Sequence, residues 1–276
     1  MVTQLREVSM SDQRTSSKGL SRFHKQLSAR DLEIIRRVSE LRLVSTRQIE
    51  ALYFSGEDHA SALSAARSCR RVLVGLTRDR LLVRLDRRVG GVRAGSASYI
   101  YAIGPVGHRV LEAGGNRPRF REPTTNFVAH TLAVTQVVVD VTLASRQGAF
   151  EILSCQSEPR CWREFSGLGG RMFLRPDLFL ALGVGDYEQR WFIEIDRGSE
   201  HLPALLRKCR LYDAHYRSGK EQAVHGLHPQ VCWIMPDEKR AARLQAAIAH
   251  DLRLTKALFV TTTFEQGLLT LSGGSS

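Results

Sequence analysis

The chain has 276 residues, 43% hydrophobic and 25% charged, which is enough for two domains with separate cores. Its formal net charge is +12, and residues 1–120 carry +11 of it, with 22 basic and 11 acidic side chains. A basic half predicts a polyanionic partner, most simply nucleic acid. The five cysteines lack CxxC spacing, and neither a signal-peptide core nor a membrane-length apolar run is found. These features predict a reduced, cytoplasmic protein without a membrane segment.

The N-terminal part is predicted to be a basic tail followed by three helices. Residues 1–26 are polar and carry no period, which predicts disorder. Apolar residues with helical spacing follow. Ser28 and either Ser45 or Thr46 are the predicted caps of the first two helices, and the third helix is predicted from Ser61 to about Arg80.

A β-hairpin is predicted to follow the third helix. Residues 81–88 and 98–103 are strand-like runs on either side of a Gly-rich basic turn. The order of three helices and a hairpin predicts a winged helix-turn-helix domain over residues 27–118. In such a domain the third helix enters the major groove and the hairpin touches the backbone or the minor groove.

Arginines on the third helix and on the hairpin are the candidate DNA contacts. The helix has an apolar stripe on one side and arginines on the other. A solvated helix face and a winged helix that binds protein are the alternatives to DNA binding. A homodimer is also open, because helix-turn-helix proteins often read paired half-sites. The candidate residues are Arg67, Arg70, Arg71, Arg78, Arg87, Arg88 and Arg93.

The second domain is predicted to cover residues 119–276, after a linker rich in Gly, Pro and Arg. Helical and strand-like patterns alternate along it, so the whole chain is predicted to be α+β. The predicted helices are 126–145, 200–217 and 237–250, and the predicted strands are 150–154, a hairpin within 171–196, 231–235 and 257–262.

Three acidic residues lie on the predicted hairpin of this second domain. Two apolar runs, residues 175–180 and 191–196, flank a turn-forming stretch. Folding about that turn places Asp177 opposite Glu194. Because strand side chains alternate between faces, Glu194 and Asp196 should share one face. Carboxylates this close repel unless a cation lies among them, and hard oxygen ligands suit Mg²⁺ or Mn²⁺, so the three acids are candidate metal ligands.

The order of elements, with Pro176-Asp177 opening one strand and Glu194-Ile195-Asp196 ending the next, resembles the PD-(D/E)XK (restriction-endonuclease-like) fold. This resemblance implies that the acids hold one or two Mg²⁺ ions and that a lysine two residues after the glutamate helps to activate water. Asp196 occupies that lysine position in this chain. Lys208 on the following helix is the candidate replacement, whereas Arg197 should point to the opposite face of the strand.

The chain as a whole resembles the replication-relaxation family of bacterial plasmids and mobile elements, through short segments in order over most of residues 27–262. The resemblance implies double-stranded DNA as a partner, together with plasmid replication or transfer proteins. It does not imply cleavage. The matching segments are Leu27-Ser28-x-Arg30-Asp31, His130-Thr131-Leu132-Ala133-Val134, Arg175-Pro176-Asp177, Glu194-Ile195-Asp196-Arg197-Gly198-Ser199-Glu200 and Lys208-x-x-x-Tyr212.

Two functions of different classes stay open at this point. The first is Mg²⁺-dependent nicking or cleavage of duplex DNA, with Asp196 as a third ligand or base and Lys208 as a helper. The second is a non-catalytic replication, transfer or transcription factor that carries a degenerate nuclease-like domain. The acids and their basic neighbours could also be a structural ion-pair network. His130 and Glu158 could extend the site from earlier elements, but the sequence does not place them.

Overall fold

The chain forms a mixed α+β structure in a computed structural model that describes residues 26–55, 61–89, 98–111, 124–167 and 170–273. The predicted α+β class is therefore confirmed. The predicted basic tail, the Gly-rich turn of the basic hairpin and the linker between the predicted domains lie outside the described residues. The predicted domain boundary stays a prediction.

The N-terminal part contains four helices and a three-stranded antiparallel sheet of order β1-β3-β2 among the described residues. The three predicted helices and the two predicted strands are all present. The elements are α1 (Ala29–Leu41), β1 (Val44–Ser45), α2 (Thr46–Tyr53), α3 (Ala62–Arg78), β2 (Leu82–Val89), β3 (Ser98–Ile103) and α4 (Pro105–Leu111).

Serine caps begin the first three helices. The hydroxyl groups of Ser28, Ser45 and Ser61 each accept a hydrogen bond from the backbone N–H of the residue three positions later. The side chain of that residue in turn accepts a hydrogen bond from the backbone N–H of the serine. This reciprocal capping box satisfies backbone donors that the helix itself leaves unpaired. The predicted helix starts are confirmed, and Ser45 rather than Thr46 caps α2.

The C-terminal part is built on a five-stranded sheet of order β10-β9-β8-β7-β4. β4, β7 and β8 pair antiparallel, whereas β8, β9 and β10 pair parallel. The elements are α5 (Thr125–Arg146), β4 (Glu151–Ser157), β5 (Arg163–Gly167), β6 (Gly170–Leu174), β7 (Leu178–Val184), β8 (Tyr187–Ile195), α6 (Leu202–Arg217), α7 (Lys220–His225), β9 (Gln230–Met235), α8 (Glu238–His250), a 3₁₀ turn (Lys256–Leu258), β10 (Phe259–Thr263) and α9 (Gly267–Leu271).

Besides the 3₁₀ turn, four short elements of the C-terminal part were not predicted. β5 and β6 pair only with each other, and their sequences show neither a long apolar run nor strict alternation. α7 and α9 have six and five residues, which is too short for helical spacing to stand out. Every long predicted element of the C-terminal part is present within a few residues of its predicted bounds.

Helices cover both faces of the five-stranded sheet. Alternate residues of β8 face opposite ways: Trp191, Ile193 and Ile195 pack in the cluster that includes α5, and Phe192 packs in the cluster that includes α6 and α8. Period-two alternation places Glu194 on the α6 side, with Phe192. The α5 cluster continues into the N-terminal helices, so one buried layer joins the two parts of the chain.

Helix α5 is the one described helix long and apolar enough, by length and composition, to cross a membrane. The sequence was expected to contain no such segment, because the predicted apolar stretch was shorter than the helix that forms. Half of its most apolar window is buried, and it packs between the sheet and the N-terminal helices. This is the position of a core helix, and it is compatible with a soluble protein.

Candidate functional site

The β7–β8 hairpin brings two of the predicted acids together. A two-residue turn joins the strands, and Leu178 lies opposite Ile193 in the register. The Asp177 N–H continues this pairing by donating to the Ile193 carbonyl at 3.1 Å. Asp177 therefore lies opposite Glu194, as the hairpin pattern predicted.

The Glu194 side chain is buried, with 1% of its surface exposed, and α6 supplies partners for both of its oxygens. The Lys208 ammonium donates to Oε2, and the Tyr212 hydroxyl donates to Oε1 at 2.6 Å. The two donors are four residues apart and so lie on the same face of the helix. The structure thus brings Lys208 to the acid pair from α6.

Asp177 is held from the opposite side, by α5. Its Oδ1 lies 3.0 Å from Nε2 of His130, and its Oδ2 accepts from the Ile195 N–H at 2.8 Å. Both oxygens of this buried carboxylate are thus hydrogen-bonded. The structure places His130 in the site, which the sequence named as a candidate but could not position.

Lys208 contacts Glu194 and acts on Asp177 through its charge, so the pKa values of both carboxylates depend on it. Burial, helped by the Asp177 charge, raises the pKa of Glu194 to about 8 against the opposing pull of Lys208 and Tyr212. Burial also acts to raise the pKa of Asp177, but the hydrogen bond from His130 and the charge of Lys208 outweigh it and lower that pKa. The pKa values of the two neighbouring acids are therefore shifted in opposite directions, upward for Glu194 and downward for Asp177.

The pKa values of the two cationic partners, Lys208 and His130, are both raised. Burial acts to lower the pKa of Lys208, but attraction to Glu194 and Asp177 outweighs it and raises that pKa. The hydrogen bond to Asp177 raises the pKa of His130. The two cationic side chains therefore offset the charge of the acids without any added ion.

Asp196 is engaged elsewhere. It follows the end of β8, where its Oδ1 accepts from the Gly198 N–H at 3.0 Å and its Oδ2 accepts from the Arg240 guanidinium on α8. Arg240 was not predicted as a site residue, because nothing in the local sequence links it to Asp196. Glu158 also lies outside the site, since it pairs with Arg42 at 3.0 Å.

The arrangement of the three acids does not fit a divalent cation. Each oxygen of Asp177, Glu194 and Asp196 is hydrogen-bonded by a protein group. No group of three His, Cys, Asp or Glu side chains in the described part of the chain is placed to hold a metal ion. The Mg²⁺ or Mn²⁺ inferred from the sequence stays a prediction.

A cleft of about 320 Å³ opens beside the acids. His130, Asp196 and Arg197 line it, whereas Glu194 and Asp177 do not. His130 and Lys208, which contact the buried acids, are themselves half-buried.

Helix α3 presents arginines in a different setting. Arg67, Arg70 and Arg71 are exposed, and none of them forms an ion pair with an acidic side chain in the described part of the chain. Arg78 is also exposed, and its Nε lies 2.9 Å from Asp79. The opposite side of the helix is buried, as its apolar stripe predicted, by Ala65, Cys69, Leu73 and Leu76.

The remaining predicted DNA contacts lie on the basic hairpin. The backbone of β2 extends through Arg87 and Arg88, whose side chains are outside the described part of the chain. Arg93 lies on the turn, which is also outside it. The roles inferred for these three arginines stay predictions.

Helix α5 contacts the N-terminal part of the chain and also carries a residue that contacts the acid pair. The buried Gln48 of α2 donates from Nε2 to the Leu132 carbonyl at 3.0 Å and to Oε1 of Gln136 at 3.1 Å. Thr135 donates to the Leu43 carbonyl at 2.9 Å. The same helix carries His130, so both parts of the chain are fixed to one rigid element.

Comparison with known proteins gave one match. The model of the family described as replication-relaxation matches residues 35–231, which is more than half of the chain and includes both the arginine helix and the acid pair. No curated protein and no solved structure matches the chain.

Proposed function

Since the chain belongs to the replication-relaxation family, we propose that it binds duplex DNA in the replication or relaxation of a plasmid or mobile element. Family membership indicates the biological setting. The observation that carries DNA binding is the row of exposed arginines on α3, of which Arg67, Arg70 and Arg71 have no acidic partner among the described residues. Guanidinium groups without internal partners are free to contact phosphates and base edges.

The order of the elements supports this proposal. The succession α1-β1-α2-α3-β2-β3, with a three-stranded antiparallel sheet, is the order expected of a winged helix-turn-helix domain. In that fold the helix at the position of α3 lies in the major groove. The arginines of α3 project away from the core, where a groove would have to lie.

The charge distribution supports it as well. Residues 1–120 hold nearly all of the net charge, at +11 of +12. Such a concentration attracts a polyanion over distances up to the Debye length, roughly 8 Å at physiological salt. It predicts binding that weakens steeply with salt, because phosphate contacts release counterions.

Duplex binding is tested by fluorescence anisotropy with the full chain and a labelled random-sequence duplex at several salt concentrations. We expect binding at low salt with a linear decrease of log affinity against log salt. Replacing Arg67, Arg70 and Arg71 together by alanine should lower the slope by ~3, because each phosphate contact contributes ~0.9.

The matched control removes three exposed basic residues from the other part of the chain, as Arg207→Ala, Lys239→Ala and Arg243→Ala. The overall charge change is identical, so a general electrostatic effect would lower affinity equally in both variants. Equal losses, or no duplex binding by the wild-type chain at low salt, would contradict the proposal.

Metal-dependent DNA cleavage is the second candidate, and one observation favours it. The acid pair has a lysine within contact distance of Glu194, supplied by α6 rather than by the strand. A lysine beside two acids is the residue set that the nuclease resemblance implies. Because the oxygens are already hydrogen-bonded, this candidate requires the side chains to rearrange before any ion binds.

Cleavage is tested by incubating supercoiled plasmid with the full chain and Mg²⁺ or Mn²⁺. Cleavage predicts nicked or linear product that disappears in Asp177→Ala and Glu194→Ala while duplex affinity is retained. Asp186→Asn is the matched control, since this exposed acid lies at the turn of the same hairpin. Intact plasmid with either metal, in chains that bind duplex normally, would exclude this candidate.

A further inference from the structure

Two large aliphatic side chains stand among the arginines on the outer face of α3. Leu63 is 71% exposed and Val74 is 67% exposed. At about 100° per residue, both lie on the same roughly 100°-wide arc as the helix arginines. The outer face is thus a basic surface with two apolar positions in it, opposite the buried side of the helix.

A purely electrostatic surface does not require exposed aliphatic residues. Phosphate contacts are made by charged and polar groups and carry no sequence information directly. Apolar side chains on a groove-facing helix have a different use, since the C5-methyl group of thymine is the apolar feature of the major groove. Leu63 and Val74 are therefore the two candidates on this face for contact with a thymine methyl group.

The two positions are not equivalent along the helix. They are 11 residues apart, which is about 16 Å along the helix axis at 1.5 Å per residue. In helix-turn-helix complexes the N-terminal residues of the recognition helix contact base edges. Leu63 is the second residue of α3, and Val74 is near its end.

We infer that Leu63 is a specificity-determining residue that contacts a thymine methyl group in the major groove, so that the chain binds a defined, thymine-containing duplex site. This inference rests on the proposed duplex binding and adds to it. Arg67 and Arg70, one and two turns further along the same face, hold the helix against the groove. Val74 lies on the same face but outside the base-reading end.

The test begins with selection of duplexes from a random-sequence pool by the full wild-type chain. We expect an enriched site that contains thymine. Each thymine of that site is then replaced singly by deoxyuridine, which removes only the methyl group. At one position the wild-type affinity should fall about four-fold, the value of one buried methyl group.

The Leu63→Ala variant identifies the residue that reads this methyl group. It should bind the thymine site more weakly than the wild type and should not distinguish thymine from deoxyuridine at that position. Val74→Ala is the matched control and should keep the full four-fold discrimination. Both residues are exposed, so neither change removes a core contact.

The outcomes separate this inference from the function it rests on. Retention of duplexes without any enriched sequence would overturn the inference and leave duplex binding intact, whereas retention of no duplex would overturn both. Discrimination that persists in Leu63→Ala would also overturn it. If Leu63→Ala instead changes only the sedimentation of the DNA-free chain, Leu63 is a protein contact and the inference is wrong.

Discussion

The outer face of α3 and the acid pair of the β7–β8 hairpin hold charge in opposite ways. On α3, Arg67, Arg70 and Arg71 are exposed and unpaired within the described part of the chain. At the hairpin, Asp177 and Glu194 are buried, and all of their oxygens are hydrogen-bonded. An exposed charge contributes little to folding and is free for a ligand, whereas a buried charge must be compensated by the fold.

The comparison indicates which site is ready for a partner. The arginine face needs no rearrangement to meet a polyanion, because its groups already point into solvent. The acid pair has its compensating partners in place, so a cation bound by these oxygens would compete with the hydrogen bonds that they already accept. Four changes test this difference, and they are taken from the largest expected effect to the smallest.

Removing the cation from the acid pair should have the largest effect on stability. Lys208→Met leaves two buried acids beside each other without their ammonium partner, and we expect the free energy of unfolding at pH 7 to fall by roughly 3 kcal/mol. Denaturant unfolding measures this change. Lys239→Met, at an exposed position on α8, is the control and should change stability by less than about 0.5 kcal/mol. Equal losses of stability in Lys208→Met and Lys239→Met would show that the buried lysine contributes no more to folding than an exposed one.

The raised pKa of Glu194 should make stability depend on pH. Glu194 has an ordinary pKa of 4.5, and in the folded chain burial raises it to about 8. Between these values the folded chain binds more protons than the unfolded chain. This contribution is therefore fully present below pH 4.5 and is lost as pH rises through about 8.

The pH dependence is measured by unfolding in denaturant at pH 5, 6 and 7. We expect stability to decrease by up to about 1.4 kcal/mol per pH unit from this group. Glu194→Gln cannot lose a proton, so its curve should be flatter, while the exposed Asp186→Asn should follow the wild type. A wild-type slope in Glu194→Gln would show that Glu194 is ionised throughout.

Loss of a single hydrogen bond to Glu194 should have an intermediate effect. Tyr212→Phe removes the donor to Oε1 inside the core, and we expect a loss of about 1–2 kcal/mol. Tyr216→Phe on the same helix is the matched control, because the Tyr216 hydroxyl makes no hydrogen bond with a described residue. If Tyr212→Phe left the free energy of unfolding unchanged, Oε1 of Glu194 would have to accept from another donor in that variant.

The arginine face should have the smallest effect on stability. Replacing Arg67, Arg70 and Arg71 by alanine removes exposed groups that form no ion pair with a described residue, and alanine favours helix. We expect thermal unfolding to shift by an amount equivalent to less than about 0.5 kcal/mol. A larger destabilisation would show that these arginines serve the fold, and would weaken the argument for DNA binding.

Local sequence patterns predicted most of the framework. The caps at Ser28, Ser45 and Ser61 and the apolar stripe of α3 each depend on residues within one or two helical turns. The hairpin register also follows from local information, since the two-residue turn fixes which residues of the two strands lie opposite each other. Elements without such signals, such as β5 and β6, were missed.

The sequence by itself thus determined which acids face each other and which face of α3 carries arginine. Only the tertiary structure decided what the acids contact: Lys208 binds Glu194, His130 binds Asp177, and Asp196 turns to Arg240. These partners come from helices 14 to 47 residues away in the chain. Side-chain spacing is periodic only within one element, whereas the pairing of separate elements depends on how their faces pack, which no local pattern specifies.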